Sequence, residues 1–428
     1  MDKNIYDAYL SIMRAELVPA LGCTEPGAVA YAAGQAAAIL GGDVTHIDVW
    51  CSGNIVKNVK GVVVPNSGGM RGIDAAAILG AACGKAEEKL EILNAVTQDD
   101  IDKAKALLTT DFCKCYLEEG EGNLFIRVVA YKGDNKSEVI IRDGHTNIVL
   151  MKKNEEVLFE VDHLAATDAL AEAKKLLTVK GIIEFANEVK IEDIKEILDY
   201  AINVNCAIAE EGLKNDYGAC VGQTLIEDYG DDIKVRAKAK AAAGSDARMG
   251  GSSMPVVINS GSGNQGITVT VPVVEYAKEL GLNHEQLYRA LTISNLISIN
   301  IKRHIGKLSA FCGAVSASCG SGAAITYMRG GTYEEICYTI KNTLGNVSGI
   351  VCDGAKASCA AKIASSLDAA ILADKMAEKS RVFEAGEGLV EEDIEKTIAN
   401  IGHMGKEGMK TTDVEILHMM LGNREVCD

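Results

Sequence analysis

Positive charge is in short supply in this 428-residue chain. Its 43 Lys and Arg face 60 Asp and Glu, a net charge of -17. Nucleic acid and anionic membrane surfaces require a positive face on their partner, so neither is expected here. Aromatic residues make up only 5%. Gly (43 residues) and abundant Ala stand in their place and predict close helix packing with many backbone-lined bends. The longest run of small apolar residues, "GAVAYAAGQAAAILGG", is shorter than the roughly 20 residues of a membrane span. Gln35 interrupts it, and it reads as a buried helix. "MDKNIYDAYL" lacks the apolar core of a signal peptide. A cytoplasmic protein is expected. There is no G-x-x-x-x-G-K-[ST] phosphate loop, no H-E-x-x-H and no C-x-x-C, which disfavours nucleotide, zinc-finger and thioredoxin-type sites. No lysine signals a pyridoxal cofactor, and no repeat array or low-complexity tail is visible.

Cysteine, by contrast, is plentiful, with thirteen in the chain. In the cytoplasm these are not disulfides. Most read as small buried hydrophobes, leaving a few as metal ligands or reactive thiols. "CKC" at 113–115 would point both thiols to one face of a strand, which reads as core. Cys312, Cys319, Cys352 and Cys359 each lie beside Gly, Ala or Ser, where little bulk would crowd a cluster. Cys352 and Cys359 would stand two turns apart on a continuous helix, too far for one ion unless the chain bends at Asp353-Gly354. The spacing alone is no ferredoxin signature.

The length suggests two domains, or one large domain with an appendage. Periodicity predicts helices over 5–17 and 25–40. "VTHIDVWCSGNIVKNVKGVVVPNSGG" reads as strands ending in tight turns. "DAAAILGAACG" and "QDDIDKAKALLTT" read as helices. Residues 113–161 form an antiparallel β meander punctuated by Gly, Asn and Asp. Beyond residue 165 the helical period dominates, at 166–177, 180–188, 191–213, 273–281, 284–300, 332–345, 361–378 and 391–401. Gly/Ser-rich breaks fall at 244–266 and 306–323. The expected fold is α+β, with a mixed N-terminal domain (1–165) and a mainly helical C-terminal domain (166–428).

Two pairs of motifs echo each other. "VVVPNSGG" (62–69) resembles "VVINSGSG" (256–263), and "SGN" occurs at 52–54 and 262–264. Such segments present backbone N–H groups and short polar side chains toward one point. They read either as ordinary turns or as parts of a shared anion pocket. "GSGNQG" fits G-x-G-x-x-G, but a dinucleotide site needs a helix to open there. The β-branched "ITVTVPVV" that follows, with Pro272, predicts none.

Taken together, "LGCTEPGA", "SGNIVKN", "VPNSGG", "NSGSGNQG", "KRHIGKLSAFCG" and "IVCDGAKASCAAKI" resemble the iron–sulfur L-serine dehydratases and, more closely, the L-cysteine desulfidases. The blocks keep the family's order from about residue 20 to 405. The resemblance implies a [4Fe–4S] cluster held by Cys312, Cys352 and Cys359, with one iron left open as a Lewis acid. Cys319 falls outside that pattern and reads as structural. The implied reaction is α,β-elimination from L-cysteine, giving pyruvate, ammonia and hydrogen sulfide. The alternatives are the same chemistry on L-serine, or a non-enzymatic iron–sulfur or thiol redox sensor.

Within that reading Cys23 is the candidate base. Thr24 is a good N-cap and Glu25-Pro26 suits a first helical turn. A thiol at the positive end of a helix is expected to have a lowered pKa. The plainer reading is a small buried residue at a helix start. Thr24, Ser52, Asn54, Asn66, Ser67, Asn259, Ser260, Ser262 and Asn264 are the candidate holders of the substrate's carboxylate and amine. The basic stretch Lys302, Arg303, His304 and Lys307 would supply counter-charge, or be a solvated helix end. Cys427, near the chain end, is by the same resemblance a candidate fourth cluster ligand. The expected partner is a small amino-acid substrate, handled by a monomer or a homodimer.

Overall fold

The computed structural model describes residues 1–422 except Gly84, Asp162 and Lys307; the side chains of Leu21, Cys83 and 163–168 are likewise outside the description. Lys307 and Cys427 therefore lie outside the described residues.

The chain opens with α1 (Lys3–Glu16), β1 (Pro19–Leu21), α2 (Thr24–Ile39), β2 (His46–Cys51), α3 (Gly53–Lys60), α4 (Ile73–Cys83) and α5 (Gln98–Leu107). Strands β3 (Cys113–Leu117), β4 (Phe125–Lys132), β5 (Asn135–Arg142), β6 (Ile148–Lys153) and β7 (Glu156–Glu160) follow. The rest is helical: α6 (His163–Lys175), α7 (Val179–Glu188), α8 (Ile191–Lys214), α9 (Val221–Tyr229) and α10 (Ile233–Met249). The short strand β8 (Pro255–Val257) precedes α11 (Gly263–Glu279), α12 (His284–Ile305), α13 (Gly313–Met328), α14 (Tyr333–Val347), α15 (Ser358–Ala377), α16 (Ile394–His403) and α17 (Lys410–Leu421). The fold class is α+β, as the patterning predicts.

The six-stranded sheet runs β3-β2-β4-β5-β6-β7. The meander from β4 to β7 is antiparallel, while β3 lies parallel to β2, with Val49 opposite Cys115. On β2, Ile47, Val49 and Cys51 are buried and alternate with less buried His46, Asp48 and Trp50, the period-2 pattern of a one-sided sheet. The buried face packs on the Ala-rich α2. A second core gathers α1 with α7, α8, α12, α13 and α14 around Ile12, Phe185, Leu296 and Ile340.

Three segments differ from expectation. "SGNIVKN" is the start of α3, not a strand-ending turn. Ile55, Val56 and Val59 are all fully buried, and packing outweighs their β propensity. A helix, α11, does open at "GSGNQG" and runs through "ITVTVPVV". Pro272 removes the N–H that would bond Thr268 O. The Ser321 hydroxyl on α13 donates to that carbonyl instead, at 2.6 Å. No dinucleotide fold results, because β8 pairs antiparallel with β1. Third, the Gly/Ser-rich 306–323 contains the buried start of α13. A Cβ on Gly320 would stand 2.2 Å from Ser294 O, so small residues here permit a close helix crossing.

Candidate active site

Two backbone pairings assemble the site. β1 and β8 pair with Pro19 opposite Val257, which sets the start of α2 beside the start of α11. Gly22 makes the turn between β1 and α2 at φ +53°, and a Cβ there would lie 2.2 Å from Pro65 Cγ. Only glycine fits that turn. The N-cap of α2 is Cys23 rather than Thr24. The second pairing bridges Phe311 and Val351: Cys312 N–H donates to Ile350 O (3.1 Å) and Cys352 N–H to Ala310 O (2.6 Å). Cys312 thus caps α13 beside Cys352. The bend foreseen at Asp353-Gly354 is present, with Gly354 at φ +97°, and it returns the chain so that Cys359 sits in the first turn of α15.

Cys23, Cys312, Cys352 and Cys359 line one cavity, together with Asn54, Ser260, Asn264 and Lys302. Its empty space is about 790 Å³, open solvent at the mouth included. Among the other candidates, Thr24 stands just behind Cys23, its hydroxyl 3.0 Å from both Glu25 Oε2 and Gly261 O. Ser52 caps α3 and bonds Asn123 O. Asn66 bonds Leu93 O, and Ser67 bonds Met70 O. Asn259 is fully buried against Asn295. None of these lines the cavity. Nor does His304, whose ring is held to a pKa of about 4 by burial and then by Arg303.

Five helix N-termini meet at this cavity: those of α2, α3, α11, α13 and α15, through Cys23, Asn54, Asn264, Cys312 and Cys359. Each contributes the partial positive charge of a helix start. The "SGN" echo is thus structural, since both copies open a helix at the cavity wall. Lys302, 4% exposed, adds an ammonium. Burial lowers its pKa to about 8, against the opposing pull of Cys352 and Cys312.

Residue patterning did not single out Glu25, Asn58, His145, Arg248 and Gln265, which also line the cavity. Glu25 is the centre of a buried network. It accepts from Cys23 Sγ (3.0 Å) and Asn58 Nδ2 (3.1 Å), and His145 Nε2 stands 3.7 Å away, at ion-pair rather than hydrogen-bond range. Burial alone would raise its carboxyl, but His145, Cys23 and Arg248 bring the pKa down to about 2. Cys23 goes the other way. Its thiol is pushed well up, first by burial and then by the Glu25 charge, with Arg248 opposing. The helix-start argument for a lowered thiol pKa therefore fails: burial, and after it the carboxylate two residues along, raise the thiol instead. The signal for Glu25 lay within "LGCTEPG", read there only as a first-turn residue.

The sequence pattern of the family described as serine dehydratase alpha chain matches residues 87–418. The chain belongs to that family, which points to lyase-type chemistry. It is 49% identical over 416 residues to a UPF0597 protein of Desulfitobacterium hafniense, covering 97% of each chain. It is 50% identical to a UPF0597 protein of Lachnoclostridium phytofermentans, over 97% of this chain and 100% of that one. A Treponema denticola relative of the same name is 47% identical over 98% and 99%.

The cavity's donors are three thiols, Cys312, Cys352 and Cys359, besides Cys23. Among the described residues, no three or more His, Cys, Asp or Glu lie close enough to hold a single metal ion. A four-iron cluster asks for something different, one thiolate per iron on separate corners. Cys312, Cys352 and Cys359 share one wall, and the first is close enough to the other two for their charges to raise its pKa, which burial chiefly pushes up to about 12. Lys302, Arg248 and the helix N-termini supply counter-charge, and Lys362 stands beside Cys312 and Cys359. The residues fit. Among the described residues no helix is long and apolar enough to cross a membrane.

Proposed function

We propose that the protein is a cytoplasmic L-cysteine desulfidase, a carbon–sulfur lyase that converts L-cysteine and water to pyruvate, ammonia and hydrogen sulfide. One observation supports the reading: the Cys23–Glu25 pair and Cys312, Cys352 and Cys359 line a single cavity where five helix N-termini meet. Those three thiolates would hold a [4Fe–4S] cluster, which when bound supplies an open iron as Lewis acid for the departing sulfur.

The chain's own groups do the rest. Helix N-termini and Lys302 attract the substrate carboxylate. Cys23 and Glu25 handle the α-proton as a unit. The thiol proton already points at the Glu25 carboxylate, so sulfur can take the α-proton as its own proton passes to oxygen. Asn58, the Thr24 hydroxyl and His145 hold that carboxylate in place. Loss of the proton and of the β-sulfur leaves an aminoacrylate. This tautomerises to an imine and takes up water to give pyruvate and ammonia.

The reading is tested by anaerobic purification with iron and acid-labile sulfide counts. Cys312→Ala is expected to lose both the cluster and turnover, while Cys23→Ala keeps the cluster and loses turnover. Full iron content and activity in Cys312→Ala would remove the metal assignment. A non-enzymatic redox sensor would bind the cluster without turning over cysteine.

A further inference from the structure

Three buried amide oxygens at the cavity, Asn54 Oδ1, Asn264 Oδ1 and Gln265 Oε1, have no hydrogen-bond partner among the described residues. Buried acceptors left unpaired cost free energy that a ligand's donors can recover. A side-chain amide can present either end by a half-turn. For Asn54 a partner makes the choice. Its Nδ2 donates to Asp413 Oδ2 at 2.7 Å. A carboxylate accepts and does not donate, so the NH₂ faces Asp413 and the carbonyl is the end left without a partner, on a residue that lines the cavity. Asp413 sits on α17, off the cavity wall, and its other oxygen pairs with Lys57, a lysine only 1% exposed. Lys57 in turn donates to Cys352 O at 3.3 Å.

We propose that Asp413 is a positioning residue: it turns the Asn54 carbonyl into the cavity as an acceptor for the ammonium group of an amino-acid substrate. The inference rests on the lyase reading above and adds what recognises the amine. An ammonium brings N–H donors and no acceptor; Asn54 offers it a carbonyl fixed by Asp413, and Asn264 and Gln265 can each turn an oxygen to it. Neither a carboxylate nor a departing sulfide could use them. The helix N-termini attract the carboxylate, and the amide oxygens the amine, so the two ends of an amino acid are told apart.

The test compares L-alanine with propionate, a pair that differs by the ammonium and has no leaving group. Binding to the full-length, cluster-loaded protein is followed by calorimetry. Wild type is expected to favour L-alanine by ten-fold or more. Asn54→Ala and Asp413→Asn should each cut that preference about ten-fold, the size of one charge-assisted hydrogen bond, leaving propionate binding within two-fold. The double variant should lose no more than either single one, because both changes remove the same contact. A merely structural Asp413 would weaken both ligands alike. If Asp413→Asn cannot be purified, Lys57→Met/Asp413→Asn, which removes the buried unpaired charge, takes its place. Full preference in Asn54→Ala, equal weakening of both ligands in the Asp413 variant, or additive losses in the double variant would each overturn the proposal. A wild type that releases sulfide from cysteine yet shows no preference for L-alanine sinks this inference and leaves the lyase reading intact. A wild type with neither property sinks both.

Discussion

At the scale of single residues, the account turns on a thiol and a carboxylate that hold one proton between them. Glu25→Gln keeps the volume and removes the proton acceptor. We expect it to lower kcat by 10²–10⁴, the usual worth of a positioned acid or base, with iron content unchanged; activity within a few-fold of wild type would remove Glu25 from the mechanism. His304 shows the opposite kind of buried group. Its pKa in the fold is about 4, below the ordinary 6.5. The unfolded chain takes up a proton near pH 6.5 that the folded ring refuses until about 4, so stability contributed above 6.5 is lost as pH falls through that window. His304→Gln should therefore lose less Tm than wild type between pH 7 and 4.5; an identical loss would contradict the assignment. Cysteine placement was legible at this scale, because small neighbours and the Asp353-Gly354 bend marked Cys352 and Cys359. The sign of the Cys23 shift was not. It depends first on complete burial of the thiol and then on a carboxylate folded back onto it, neither of which a spacing rule reports.

At the scale of elements, four of the five helix starts share one cavity because two short pairings, β1 with β8 and 310–312 with 350–352, draw them together; the fifth, α3, enters from the end of β2. Gly354 is a tight joint: a Cβ there would stand 2.2 Å from Lys57 O, at a φ that favours glycine. Gly354→Ala should displace the Cys352–Cys359 bend and reduce bound iron more than it reduces folded protein by circular dichroism; undiminished iron would count against the bend's role. In α11, Ser321→Ala would leave Thr268 O unpaired beneath Pro272, at a cost of about 1–3 kcal/mol in urea unfolding. A loss below about 0.5 kcal/mol would show that the carbonyl finds another donor. This helix explains why sequence patterning went astray at "ITVTVPVV". Its proline is tolerated through a hydroxyl 49 positions on in the chain, and its β-branched residues are paid for by burial on every side. The strands β4–β7, whose stability is local and whose turns carry Gly, Asn and Asp, were legible throughout.

At the scale of the whole molecule, net charge and function pull against each other. In the function proposed, a protein of charge -17 would collect an anionic amino acid carboxylate and hold an anionic cluster. The solution is local: helix dipoles, Lys302, Arg248 and Lys362 make one buried positive site inside an acidic body. The family match covers the segments from residue 87 on, which include Arg248, Lys302 and the starts of α11, α13 and α15, and the near full-length relative from Desulfitobacterium hafniense aligns over 97% of the chain. The central claim is that this site breaks a carbon–sulfur bond. The direct measurement is sulfide and pyruvate release from L-cysteine by anaerobically purified, cluster-loaded protein, with L-serine in parallel. The account predicts equimolar sulfide and pyruvate from L-cysteine, at a higher kcat/KM than pyruvate from L-serine, and neither product from Cys312→Ala. Pyruvate from L-serine with no sulfide from L-cysteine would contradict it.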